Sequence, residues 1–271
     1  MNMYLHELKA YRKSTIIWSL VFMGIIAMLL SFLPSIKDQG DVFIKALKDY
    51  PEYLRKALGL DAFDLKNSDS FFNFTNFFSI TFIYLTLCGA IQAMNFGTGI
   101  VSKETRDKTA DFLMTKPVSR IKILSAKLLA VLTSLIITNL FFVAATFLLA
   151  PVFTDEKIDH PKILMAMLTI FYLQLIFLSV GTFISVIYSN MKSVLAISLS
   201  TVFTFYFIGM FIEIFDETVM RYFRPFKYFD YQYMAMTVEY EWQLIVLTAI
   251  IVITLITASF VIYQKKDIQA V

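Results

Sequence analysis

Apolar residues in this chain run in long uninterrupted blocks. Six stretches hold no Asp, Glu, Lys or Arg: 14–36, 70–102, 128–154, 163–191, 193–212 and 242–264. About 20 residues of helix, at 1.5 Å rise each, cross the roughly 30 Å hydrocarbon layer of a bilayer. All six prolines (34, 51, 117, 151, 161, 225) fall outside the blocks or at their ends, which leaves helix interiors unbroken. Period-2 alternation is absent, which argues against a β-barrel. The pattern predicts an all-α membrane protein with six transmembrane helices, organised as one domain over residues 1–271. The second block is too long for a perpendicular crossing, because its 33 residues reach about 50 Å as helix. It must tilt or project into water. It also carries Asn73, Asn76, Gln92 and Asn95, amides that either hydrogen-bond neighbouring helices or line a cargo path.

The segments between blocks add detail. In residues 1–13, Tyr4, Leu5, Leu8 and Tyr11 share one helical face, which predicts an N-terminal interfacial helix. In residues 37–69, Val42, Phe43, Ala46 and Leu47, then Tyr53, Leu54, Ala57 and Leu58, recur at helical spacing. Two short amphipathic helices are expected there, separated by Pro51, with Gly59 ending the second. Residues 213–241 are rich in Tyr and Phe among scattered charges. They read as a helix or re-entrant piece near the outer leaflet, its aromatics forming an interfacial girdle or touching an emerging cargo. With the N-terminus inside, the cytoplasmic segments hold 13 Lys and Arg against 11 outside. With acids included, the inside segments carry +8 and the outside segments −5. Both tallies place both termini in the cytoplasm.

Composition narrows the chemistry. Residues are 58% hydrophobic and mean hydropathy is +0.68, well above the 45–50% apolar content typical of soluble domains. Net charge of +3 is too small to argue for nucleic acid. A single cysteine, Cys88, excludes an intramolecular disulfide and a CxxC site. No Gly is followed by Lys, so there is no P-loop to cradle a nucleotide. The two histidines, His6 and His160, are too far apart in sequence to suggest a zinc ligand set, and no GxSxG elbow occurs. Ion-coupled carriers use ionisable groups within the membrane, yet the six blocks have none. Glu213, at the end of the fifth block, comes nearest. No metal, cofactor or catalytic residue is expected. The chain therefore either conducts passively or draws work from a partner.

The most informative stretch is 101–127, VSKETRDKTADFLMTKPVSRIKILSAK. Thr105, Thr109, Phe112, Leu113 and Lys116 fall at helical spacing, with charges on the remaining surface. Pro117 disfavours helix at Lys116, and Ser119 can cap the next helix. A short charged helix under a bundle is either a solvated connector or a docking element. The stretch resembles the signature of ABC-2-type transporter permeases, E-x3-G-T-x3-L-x3-P-x-S-R-x6-K. Glu104, Thr109, Leu113, Pro117, Ser119, Arg120 and Lys127 match it, while Lys108 stands where the family often has Gly. The order of segments and the YQKKDIQ ending are similar too. The resemblance implies a permease subunit of an ATP-driven exporter in a bacterial plasma membrane. It implies a coupling helix at about 103–116, with Glu104, Thr109, Phe112, Leu113, Pro117 and Arg120 engaging a cytosolic ABC ATPase dimer that binds the ATP. It also implies a second permease copy or paralogue, membrane lipid as surroundings, and a hydrophobic or amphipathic cargo: peptide, drug or lipid-like. The alternatives are an ATP-independent channel or carrier, and a mechanotransmission or assembly module without transport.

Overall fold

The computed structural model describes residues 3–57, 73–106, 118–156, 159–188, 191–215, 222–229 and 239–265. Among these, the chain is almost wholly helical and no strand occurs. Six helices are long and apolar enough to cross a membrane: α1 (Met3–Asp38), α4 (Phe74–Arg106), α5 (Arg120–Phe153), α6 (His160–Ile187), α7 (Val194–Phe215) and α8 (Trp242–Lys265). Two short helices, α2 (Gly40–Lys48) and α3 (Glu52–Ala57), follow α1 with Pro51 between them, as the spacing predicts. Gly59 lies outside the described residues. The buried face of α2 is Ile44 and Leu47 rather than one shared with Val42, which is 71% exposed. Tertiary contact chose between two neighbouring apolar stripes.

Helices α4 and α6 form the centre. They run parallel in sequence register, with Gly97 against Gly181, Gln92 against Gln174 and Ser102 against Ser185. A Cβ on Gly97 would stand 2.6 Å from the Leu178 carbonyl oxygen, and one on Gly181 would stand 2.8 Å from that of Met94. Only glycine at both positions lets the backbones approach this closely. Lipid is as apolar as a leucine side chain, so close van der Waals packing is what favours helix association in a membrane. Helix α5 packs beside this pair and carries α1 on its outer side, while α7 packs on α4 and α8 on α6. Most of the apolar surface of α7 and α8 remains uncovered.

The first helix differs from expectation. The N-terminal segment and the first span form one unbroken helix of 36 residues. In its second half it follows α5 in step: Phe22 meets Phe142 at 6.0 Å between ring centroids, and Lys37 pairs with Glu156. In its first half, 18 residues from Tyr4 to Phe22 answer to only nine on α5, because the Tyr4 hydroxyl bonds Thr133 at 3.0 Å. The surplus is about 13 Å of helix, so the start of α1 diverges from the α5 axis and crosses it obliquely. Tyr11 packs edge-on against Phe96 at 5.2 Å and lies under the Lys103 ammonium at 5.6 Å. The end of the bundle holding the start of α1 is called the near end below, and the opposite end the far end.

Candidate functional site

At the near end, α4 leads into residues 107–117. The described helix runs through Arg106, so Lys103–Arg106 form its last turn. Thr109, Phe112, Leu113 and Pro117, with most of the expected coupling helix, lie outside the described residues, as does the Glu104 side chain. The two flanks are described, and both are tied down. On the α4 side, the Ser185 hydroxyl of α6 accepts from the backbone N–H of Val101 and Ser102, at 3.1 and 3.2 Å. The Thr98 hydroxyl bonds that of Ser198 on α7 at 2.8 Å. Lys127 of α5, 2% exposed, donates its ammonium to the Ile100 carbonyl at 2.7 Å. The end of α4 is thus bonded to three different helices. Buried polar groups in a low-dielectric setting lose much if they lose a partner.

On the α5 side, Ser119 caps the helix by accepting from the Lys122 N–H at 3.4 Å, as its position predicts. Arg120 reaches across to α8, where it donates to the Tyr263 and Gln264 carbonyls at 3.3 and 3.2 Å. A cation on terminal carbonyls satisfies orphan acceptors and complements the negative end of the helix dipole. The signature residues Arg120 and Lys127 therefore bridge helices inside this chain, a role that spacing alone does not reveal.

Deeper in the membrane lies a chain of amides. Gln92 of α4 donates to the Thr138 hydroxyl of α5 at 3.0 Å and accepts from Gln174 of α6 at 3.1 Å. Asn139 of α5 donates to the Gln174 side-chain oxygen at 2.6 Å. All four side chains are at most 3% exposed. Gln92 thus bonds other helices. The remaining candidate path residues do not gather around it. Asn73 caps α4 at the far end, its side-chain oxygen accepting from the Asn76 N–H at 2.8 Å, and Asn95 is half-buried one turn below Gln92. Asn139 and Gln174 escaped the sequence reading, although amides inside charge-free blocks are the same signal that picked out Gln92.

At the far end, Glu156 accepts from Lys37 and from the Phe74 N–H, clasping α1, α4 and the end of α5. The Tyr240 hydroxyl donates to the Met165 carbonyl at 2.7 Å. Burial pushes the Tyr240 phenol up to about 12, against a smaller lowering by its hydrogen bond with Thr169 and with a small further rise from Tyr172. From Met165 the aromatic segment 222–229 descends along α6. Phe229 stacks on Tyr172 at 5.1 Å, and Phe226 meets Phe177 at 5.3 Å and Tyr206 at 5.8 Å. Met165 to Phe177 is about 18 Å of helix, so the short 3-10 turn Pro225–Lys227 is re-entrant. Irregular backbone at such depth survives only when enclosed by protein or facing water. Tyr228 and Phe229 are buried, whereas Tyr222 and Phe223 are exposed. Part of the aromatic set therefore packs into the bundle instead of forming a girdle.

These features describe a helical bundle in which both described flanks of residues 107–117 are bonded to neighbouring helices. The family described as ABC-2 family transporter protein matches residues 1–268. The chain belongs to the ABC-2 transporter family. It is thus the membrane permease of an ABC transporter, a transmembrane subunit distinct from the ATPase that such permeases associate with. Neither a curated protein nor a solved structure matches the chain. In this ABC-2 permease the matching part of the signature runs from Glu104 to Lys127, and the anchored flanks lie at its two ends.

Proposed function

We propose that this permease exports a hydrophobic or amphipathic cargo (peptide, drug or lipid-like) across a bacterial plasma membrane, with both termini cytoplasmic. Two copies, or a copy and a paralogue, pair in the membrane. Each receives a cytosolic ATPase through the helix expected at about 103–116. Phe112 and Leu113 enter a cleft of the ATPase, and the surrounding charges orient the helix. Closure of the ATPase dimer on ATP pushes this segment, and the push passes along α4 into the bundle.

The observation that carries this reading is the anchoring of both flanks. Lys127 ties the end of α4 to α5, and Arg120 ties the start of α5 to α8. Displacing the segment between them therefore moves several helices together rather than fraying one loop. The low count of ionisable groups in the spans supports a partner as the source of work. The test is co-purification and transport. Wild-type permease and Phe112→Asp are co-expressed with candidate ABC ATPases from the same genome and reconstituted in proteoliposomes with a fluorescent amphipathic dye. ATP-dependent dye movement is expected for wild type only, with ATPase retention lost in the variant. Undiminished ATPase binding and transport by Phe112→Asp would overturn the coupling assignment.

A further inference from the structure

The oblique start of α1 leaves an open groove against α5. Its volume is about 410 Å3, and it is lined by Leu5, Leu8, Lys9, Arg12, Thr15, Ile16 and Ile137. The volume falls within the roughly 300–1,000 Å3 of small-molecule sites. Leu5 and Ile16 are 56% and 49% exposed, so apolar floor remains uncovered. Lys9 and Arg12 stand three residues apart on one helical face at the edge of this floor. Among the described residues no acid lines the groove: at 100° per residue, Glu7 falls on about the opposite side of α1 and is buried there. The first charge-free block starts at Ser14, just beyond the two cations. The groove therefore runs from the headgroup boundary at its two bases towards the acyl layer at Ile137, and its bases can reach the headgroup layer while their stems stay in lipid.

We propose that this groove is a binding site for one anionic phospholipid of the leaflet at the near end. Lys9 and Arg12 hold the phosphate, and an acyl chain lies over Leu5, Leu8, Ile16 and Ile137. Charge complementarity commits the site to an anionic lipid. A zwitterionic lipid brings its own cation against the two bases, and a protein helix needs acids to match them. The bound lipid fills the wedge between α1 and α5 and so fixes the angle at which α1 leaves the bundle. This assignment is independent of the transported cargo and of any ATPase.

The test uses full-length permease in nanodiscs containing a photo-crosslinkable phosphatidylglycerol or the matching phosphatidylcholine, with labelled peptides mapped by mass spectrometry. Each basic side chain near an anionic surface contributes about five-fold in affinity, so the pair contributes about 25-fold. Expected are phosphatidylglycerol adducts on peptides holding residues 5–16 and Ile137, weak phosphatidylcholine adducts, and a loss of about 25-fold in K9Q/R12Q. Ile137→Trp fills the groove without altering charge and is expected to block labelling equally. Melting of each variant, read through exposure of Cys88, checks folding. If K9Q/R12Q fails to fold, the lipid preference of wild type and the Ile137→Trp result decide. Equal labelling by the two lipids overturns the proposal. So does undiminished labelling of Ile137→Trp, or crosslinks from the groove to a second copy of the chain.

Discussion

Replacing Gly97 by alanine puts a methyl carbon 2.6 Å from the Leu178 carbonyl oxygen, 2.9 Å from the Thr182 nitrogen and 3.0 Å from the Gly181 Cα. All three are backbone atoms of α6, so no side chain can swing aside. Ordinary contact begins at 3.4 Å, and α4 and α6 must separate by about 0.8 Å to reach it. A gap of that size forfeits roughly a quarter to a half of the dispersion energy along the seam. Overpacking of this kind costs about 1–3 kcal/mol, while the alanine returns about 0.8–1 kcal/mol of helix propensity. The net is a loss of up to about 2 kcal/mol against wild type, and of about 1–3 kcal/mol against an alanine that meets no clash. Gly99 and Gly24 are the controls, since a Cβ at either meets nothing within 4 Å. Their alanine variants keep the propensity gain without the clash. The lone buried Cys88 supplies the assay, because a thiol-reactive fluorophore reports its exposure on heating in detergent. At about 2–4 °C per kcal/mol for a chain of this size, Gly97→Ala is expected to melt about 2–12 °C below the Gly99→Ala control and up to about 8 °C below wild type. Gly99→Ala and Gly24→Ala are expected to melt at or above it. A Gly97→Ala protein as stable as the Gly99→Ala control refutes the close-approach argument.

Further outcomes follow from the polar contacts. Gln92→Leu breaks two interhelical bonds and is expected to cost about 0.6–2 kcal/mol in the same melting assay; a double-mutant cycle with Asn139→Leu should be non-additive, because Gln174 joins the two amides. Arg120→Ala releases the terminal carbonyls of α8, so hydrogen exchange of its last turn is expected to speed up by about five-fold, corresponding to about 1 kcal/mol; Arg120→Lys, which keeps the charge, should recover part of the protection. The Tyr240 phenol, raised by burial from 10.0 to about 12, favours the fold in its neutral form. Its contribution is complete below pH 10 and is lost as the pH climbs towards 12. Ultraviolet titration should therefore show a late tyrosinate phase that shrinks by one tyrosine in Tyr240→Phe, and a titration with every tyrosine ionising together near pH 10 counts against the buried environment.

Legibility from the sequence divides along physical lines. Membrane crossings are set by a property summed over about 20 neighbours, the transfer of apolar surface into lipid, so six charge-free blocks sufficed to locate six spanning helices. Local backbone rules worked equally well. Ser119 caps α5, Pro51 parts α2 from α3, and the second block does continue past its last uncharged residue to Arg106. The signature in 101–127 carried the family as well, since it rests on residue identity at fixed spacing.

What failed was whatever depends on a partner far away in the chain. The recurrence in α2 does not say which of its apolar residues is covered, and only packing against the rest of the protein selects Ile44 and Leu47. The start of α1 reads as an interfacial helix, but its continuity with the span and its contacts with Thr133 and Phe96 appear only in the fold. Gly97 gains its meaning only from Gly181, 84 residues away, and Gln92 only from Thr138 and Gln174. Arg120 and Lys127 were visible as signature positions, but their bonds to α8 and α4 required the fold. Composition and periodicity report what each segment seeks, namely lipid, water or a turn. Which helix supplies the close approach or the missing hydrogen-bond partner is a matter of relative placement, and that is decided by the tertiary structure.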